Sequence, residues 1–313
     1  MAYSHAMKIP LYAFLIFSSL RLCLGTRKLT SLFQPPPMLL TYHKGNILEG
    51  DIHVSILWYG KFTTPQKSIV SDFILSLTPS QQKGPTQSPP SVSHWWKTID
   101  TYTQMARKKK THILLSTQIS DENYSLGKTL KRSQISDLAA KVSPSSTLGG
   151  ITLVLTDKDV VLEGFCMSSC GFHGSDVGKK SAFIWVGNSV SQCPGQCAWP
   201  FHQPIYGPQN PPLVAPNNDV GLDGMVVNIA TLLAGTVTNP FGRGYFQGPE
   251  EAPLEASSAC PGMYGKGAYP GCAGEVLVDS RTGAGYNARG VNGRIYMLPA
   301  VYDPAKLSCS TLV

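Results

Sequence analysis

Apolar positions in this chain recur at two spacings, and the changes from one to the other outline a fold. Residues 51–59 (DIHVSILWY) are dense in β-branched and aromatic side chains and predict a strand. At Thr64-Pro65 the spacing becomes helical, carried by Ile69, Val70, Phe73, Ile74 and Leu77. Proline suits that first turn because its missing N–H would have no helical partner there. Residues 91–105 repeat the pattern through Val92, Trp95, Trp96, Ile99 and Tyr102. At this spacing the Trp95-Trp96 pair belongs to a core face in preference to a sugar-stacking platform. Further strands are expected at 112–118, 151–155, 160–163 and 182–186, and a short helix at 133–142 with Ser133 as a candidate cap. Residues 219–237 (DVGLDGMVVNIATLLAGTV) are apolar on most sides, as a buried helix requires. Strands at 275–279 and 294–298 complete the reading.

Helices alternating with strands predict an α/β fold with a mixed sheet flanked by helices. From Gly187 onward glycine and proline crowd long stretches without period, such as CPGQCAWPFHQPIYGPQNPPLVAPNND. These have no apolar face of their own, so they are expected to wrap the same core as loops. The stretch 83–90 (KGPTQSPP) is a surface loop. No internal repeat is present. One domain is therefore expected over 39–313, preceded by a flexible proline-ended leader at 26–38.

The first 25 residues read as a secretory signal. Lys8 precedes an apolar run (IPLYAFLIFSSL), Arg21 closes it, and Cys23-Leu24-Gly25 supplies small residues for a cut before Thr26. The run is too short for a bilayer, and no later segment reaches the roughly 18 continuous apolar residues of a membrane span. The expectation is a protein released outside the cell, in the apoplast or cell wall. Asn123-Tyr124-Ser125 then becomes an acceptor sequon for N-glycosylation. Two of the cations behind the formal net charge of +7 leave with the signal. The remaining cluster, Arg107-Lys108-Lys109-Lys110, reads first as the solvated end of a helix and second as a contact for acidic polysaccharide. Nucleic acid is not an expected partner, because basic and aromatic residues do not interleave.

Seven of the eight cysteines follow the signal: Cys166, Cys170, Cys193, Cys197, Cys260, Cys272 and Cys309. Export favours disulfides. The preferred pairing is local, Cys166–Cys170 and Cys193–Cys197, with Cys260–Cys309 tying down the end; a crossed pairing of the first four is the rival. With His173 and His202 nearby, the two Cys-x3-Cys pairs also suggest zinc, but their spacing is unlike the usual structural sites. Residues 171–180 (GFHGSDVGKK) miss the phosphate-loop spacing, and there is no G-x-S-x-G or H-E-x-x-H. Asp219 and Asp223 stand one turn apart. They read as dipole partners at a helix start before they read as paired catalytic carboxylates.

The strings LLTYHKG, ILWYGKF, WWKTID, DENYSLGK, EGFCMSSCGFHGS, FIWVGNS, QCPGQCAWPFHQPIYGP, LVAPNNDVGLDGMVVNIATLLAGTVTNPFGRGYFQGP, ACPGMYGKGAYPG and CSTLV resemble the plant EXORDIUM-like proteins, also called the phosphate-induced protein 1 family, from about Pro35 to Val313. The resemblance implies an apoplastic or cell-wall protein tied to growth, cell expansion and responses to brassinosteroid, phosphate or carbon status. It implies no established catalytic activity, cofactor or metal. Cys272 departs from the family string, where an aromatic is expected, and so is the candidate unpaired thiol. The loop between Gly174 and Ala182 is shorter than the family's. A second resemblance concerns Met225 to Pro240 (MVVNIATLLAGTVTNP), which is similar to the active helix of certain secreted bacterial zinc peptidases. Aligned on Thr238-Asn239-Pro240, it puts Thr231, Leu232 and Gly235 where ligands and a base would stand, so a metallopeptidase scaffold with its metal site erased is an expectation. The leading functional reading is a non-catalytic protein that binds a wall polysaccharide or a receptor-type protein. The alternatives are an extracellular hydrolase using His173 or His202 near a metal, and a structural wall component.

Overall fold

Burial on both faces explains the near-continuous apolar run of strand β1 (Gly50–Tyr59), an interior strand of the sheet. The computed structural model describes residues 38–78, 89–142, 150–167, 169–176 and 181–313. These belong to one compact unit, Pro35–Val313. The expected signal and its cut, most of the leader and most of the 83–90 loop lie outside the described residues, as does part of the Gly174–Ala182 loop.

After β1 come helices α1 (Thr64–Leu77) and α2 (Val92–Met105), then β2 (Thr111–Asp121), α3 (Ser133–Val142), β3 (Ile151–Thr156), β4 (Gly171–Asp176), β5 (Ser181–Gly187) and the long helix α4 (Val220–Thr238). The five strands form one sheet in the order β2-β1-β3-β5-β4. All are parallel except β4, which runs antiparallel to β5. Helices α1, α2 and α4 pack with Ile52, Val54, Ile56, Leu153, Leu155, Ile184 and Val186 on one face. Helix α3 packs with Leu57, Tyr59, Val154 and Trp185 on the other. The chain steps from β1 to β2 over one face and from β2 back to β3 over the other. Crossovers of a single hand require that alternation.

The helix boundaries follow from local chemistry. At the start of α1, Thr63 and Gln66 form a reciprocal capping box, with Thr63 N–H donating to Gln66 Oε1 at 3.0 Å. Ser91 Oγ accepts from His94 N–H at the start of α2, and Asp219 Oδ1 accepts from Leu222 N–H at the start of α4. Ser133 is the first residue of α3, not the residue before it. Helix α2 ends with Arg107 in the left-handed region, φ 58°. Arg107 N–H bonds Gln104 O at 2.9 Å and Lys108 N–H bonds Thr103 O at 2.8 Å, a Schellman arrangement that closes the last turn.

Three expected strands shrink. Residues 160–163 supply only Val161–Leu162, paired with Thr129–Leu130, 275–279 only Leu277–Val278, paired with Gly285–Tyr286, and 294–298 only Ile295–Tyr296, paired with Ala288–Arg289. Strand β4 (GFHGSD) has no strand-like composition, and its glycines have a separate cause: a Cβ on Gly171 would lie 2.5 Å from Trp185 O. Beyond α4, short ladders and loops wrap the core, ending in a hairpin of β6 (Val301–Asp303) and β7 (Ser308–Ser310). Helix α4 is the one helix among the described residues long and apolar enough to cross a membrane, but 78% of its apolar window is buried inside the protein. It serves here as a core helix.

Candidate functional site

Two disulfides join the loop ahead of β4 to the segment after β5. Cys166 bonds Cys193 with Cα atoms 5.7 Å apart, and Cys170 bonds Cys197 at 5.3 Å. This corrects the local pairing. Cys193 and Cys197 lie on one helical turn, where side chains four apart point the same way. A disulfide needs facing Cβ atoms, so each sulfur reaches across to the other loop. The two bridges stand side by side, with the sulfurs of Cys193 and Cys197 3.6 Å apart. Cys260 bonds Cys309. In the full-length chain Cys272 is disulfide-bonded as well, and no cysteine among the described residues is free; its reading as the unpaired thiol concerned the chain without its first 25 residues. A zinc site at the four cysteines is likewise ruled out, because a bonded sulfur offers no thiolate.

On the next strand, β4, His173 meets Glu255. Its Nε2 lies 2.9 Å and 3.1 Å from the two carboxylate oxygens, across 82 residues of chain. Asn239 Nδ2, just past the end of α4, donates to Glu255 Oε1 at 2.7 Å. Ser258 Oγ accepts from Glu255 N–H at 2.8 Å. The carboxylate rests against Gly235 of α4, where a Cβ would come within 2.3 Å of Oε2. His173 Nδ1 is buried and has no hydrogen-bond partner among the described residues. The arrangement holds the edge strand to the core helix, and it gives a histidine–carboxylate pair of the kind that can move a proton.

A second polar network sits at the other end of α4. Asp223 accepts from Asn217 N–H at 2.8 Å and from Asn217 Nδ2 at 2.7 Å. Arg294 donates to Asn217 Oδ1, to Asp72 Oδ2 at 3.1 Å and to Ser68 Oγ at 2.6 Å. Asn292 Nδ2 donates to the other oxygen of Asp72. Burial pushes the Asp223 carboxyl up to about 7, against the Asn217 bonds that pull it down. Asp219 does not share this site. It caps α4 and accepts from Gln66 Nε2 at 3.0 Å. The two acids thus have separate structural duties, and together the network pins α1, α4 and the C-terminal loops to one another.

The other singled-out residues are dispersed. His202 is exposed, its Nδ1 3.0 Å from Gln203 O, and shares no bond with His173. Asn123 is exposed in a turn directly after edge strand β2. Trp95 and Trp96 are buried, their indole N–H groups donating to Pro299 O and Thr111 Oγ1. In the basic cluster Lys108 pairs with Glu49 at 3.1 Å, while Arg107, Lys109 and Lys110 are exposed.

The erased zinc-peptidase reading gains no support. No three of His, Cys, Asp and Glu converge as metal ligands among the described residues. Thr231 Oγ1 bonds back to Val227 O, Leu232 packs near the Gly171 position, and Gly235 makes room for Glu255. Glu255, Asp72 and Arg294 are not singled out in the sequence, and Asn239 enters there only as an alignment anchor. Their partners lie far off along the chain, and no spacing marks the contacts they make.

A sheet of four parallel strands and one antiparallel edge, stapled by crossed disulfides over a buried helix, defines an α/β protein whose site is built from its irregular half. The model of the family described as the phosphate-induced protein 1 conserved region matches residues 40–312. The chain is 56% identical to Protein PHOSPHATE-INDUCED 1 of Nicotiana tabacum over the whole of both chains. It is 55% identical to Protein EXORDIUM of Arabidopsis thaliana, covering 96% of this chain and 98% of that one. Against Protein EXORDIUM-like 1 of Arabidopsis thaliana the identity is 54%, covering 96% and 97%. The chain belongs to the phosphate-induced protein 1 family. No solved structure matches it.

Proposed function

We propose that this chain is an extracellular protein of the plant apoplast or cell wall that modulates cell expansion by binding a partner, without catalysing a reaction. The observation that carries the reading is the crossed pair of disulfides, Cys166–Cys193 and Cys170–Cys197, joined by Cys260–Cys309. Such bridges persist in an oxidising compartment and restrain loops that have little apolar surface to hold them. The exposed turn position of Asn123 supports the same route, since a sequon must be accessible to be glycosylated. Membership beside relatives named for phosphate induction supports a phosphate-responsive role. The polar groups around α4 support a non-catalytic role, because each carboxylate there is occupied by bonds that join elements of the fold. A tagged chain expressed in plant cells is expected in the wall fluid, cut near Thr26 and shifted by glycosidase treatment. Retention in the cytosol at full length would refute the proposal.

The His173–Glu255 pair favours a second reading, a hydrolase acting on wall polysaccharide or peptide. Metal analysis and substrate screening separate the two. Stoichiometric metal and a hydrolytic activity, both lost in His173→Ala, would establish the second; a metal-free, inactive protein is expected on the first.

A further inference from the structure

We infer that the cleft between α2 and the β6–β7 hairpin is a binding site for an acidic, hydroxyl-rich chain of the polyuronate type; this rests on the extracellular reading above. The cleft encloses about 250 Å³ and is lined from the helix by Lys97, Thr98 and Thr101, and from the hairpin by Lys306, Ser310 and Thr311. Each wall thus contributes one ammonium and at least one hydroxyl. Asp303 also lines it, but its carboxylate is engaged by Lys306 Nζ at 3.1 Å and by the N–H groups of Ala305 and Lys306. Lys97 is exposed and makes no ion pair among the described residues. The lining suits a ligand that brings carboxylates for the ammonium groups and hydroxyls for the Thr and Ser side chains.

Two further features set the cleft apart from an ordinary solvated surface. First, its walls are fixed before any ligand arrives. Trp95 Nε1 donates to Pro299 O at 2.7 Å, the Tyr102 hydroxyl donates to Tyr302 O, and the Cys260–Cys309 bond anchors β7. Preorganisation lowers the ordering cost of binding. Second, the helix that carries exposed Lys97 and half-buried Thr101 leads to a basic track just past its end at Met105, formed by Arg107, Lys109 and Lys110, all exposed. At 1.5 Å per residue, the helix runs roughly 12 Å beyond Lys97 before that track begins. A single inorganic anion would use only the cleft, whereas an extended polyanion would use cleft and track together. The basic cluster at the helix end then gains a role beyond complementing the helix dipole.

The test is a calorimetric titration of the purified secreted protein with de-esterified oligogalacturonate. Parallel titrations use a neutral cello-oligosaccharide, inorganic phosphate and single-stranded DNA of matched charge. Saturable binding of the oligogalacturonate alone is expected, weakening with added salt. Lys97→Glu, with an unchanged melting temperature, is expected to weaken it about tenfold, and Lys110→Glu about threefold. Equal affinity for the neutral sugar or for DNA, tight binding of phosphate alone, no saturable binding, or an unchanged affinity in Lys97→Glu would each overturn the inference. Because the assay uses isolated protein, its failure leaves the extracellular reading to be judged separately by where the chain is found.

Discussion

Arg107 occupies a backbone conformation, φ 58°, that glycine adopts without strain, because an L side chain there crowds its own backbone. Its Schellman bonds compensate the strain. Arg107→Gly is therefore expected to be more stable than Arg107→Ala by about 1 kcal/mol, both having lost the same cation. Equal melting temperatures for the two variants would contradict this. Asp223 makes a pH-dependent contribution of definite sign. Burial raises its folded value to about 7, above the ordinary carboxyl range near 4. Between those values the folded chain holds a proton that the unfolded chain has released. Its contribution is fully present below about pH 4 and is lost as pH rises toward 7, on the order of 4 kcal/mol. Denaturant titrations from pH 4 to pH 8 are expected to show the wild type losing stability relative to Asp223→Asn across that window. A difference independent of pH would place the titration elsewhere.

At the scale of elements, the periodic half of the chain was readable and the irregular half was not. Residues 64–77 and 92–105 are helical where the apolar spacing put them, because their buried residues face one core and their caps are local. The central strands are nearly as legible: β3 and β5 are hydrophobic enough to be buried on both faces. Strand β4 was missed because its form follows from its neighbour. Gly171 is dictated by Trp185 and Gly174 by the Phe183 ring, contacts that no local pattern shows. The His173–Glu255–Asn239 cluster was invisible for the same reason, since only the fold brings those residues together. Disulfide pairing failed on direction: a Cys-x3-Cys spacing says that two sulfurs are neighbours, while a helical turn at 194–197 makes them point outward in parallel. The Cys260–Cys309 bond closes a sequence separation of 49 residues around the β6–β7 hairpin. Replacing both by alanine is expected to cost up to about 4 kcal/mol by loop-closure entropy. Thermal melts of that double variant check it, and an unchanged melting temperature would show that the hairpin holds without its staple.

For the whole molecule, the sheet and its helices form a scaffold, and the glycine- and proline-rich half is bound to it by polar networks and disulfides. That division places the proposed binding surface along α2 and the C-terminal hairpin, away from the pinned carboxylates around α4. It also makes the fold depend on oxidation, so compartment and structure are linked: in a reducing cytosol the loops at 166–170 and 193–197 would lose their covalent ties. The central claim is export of a disulfide-stapled chain. It is tested most directly by non-reducing peptide mass mapping of the protein recovered from extracellular fluid. The expected map begins near Thr26, carries a glycan on Asn123, and links Cys166 to Cys193 and Cys170 to Cys197. Recovery only from the cytosol, with the first residues intact, Asn123 bare and Cys166 and Cys170 as thiols, would contradict it.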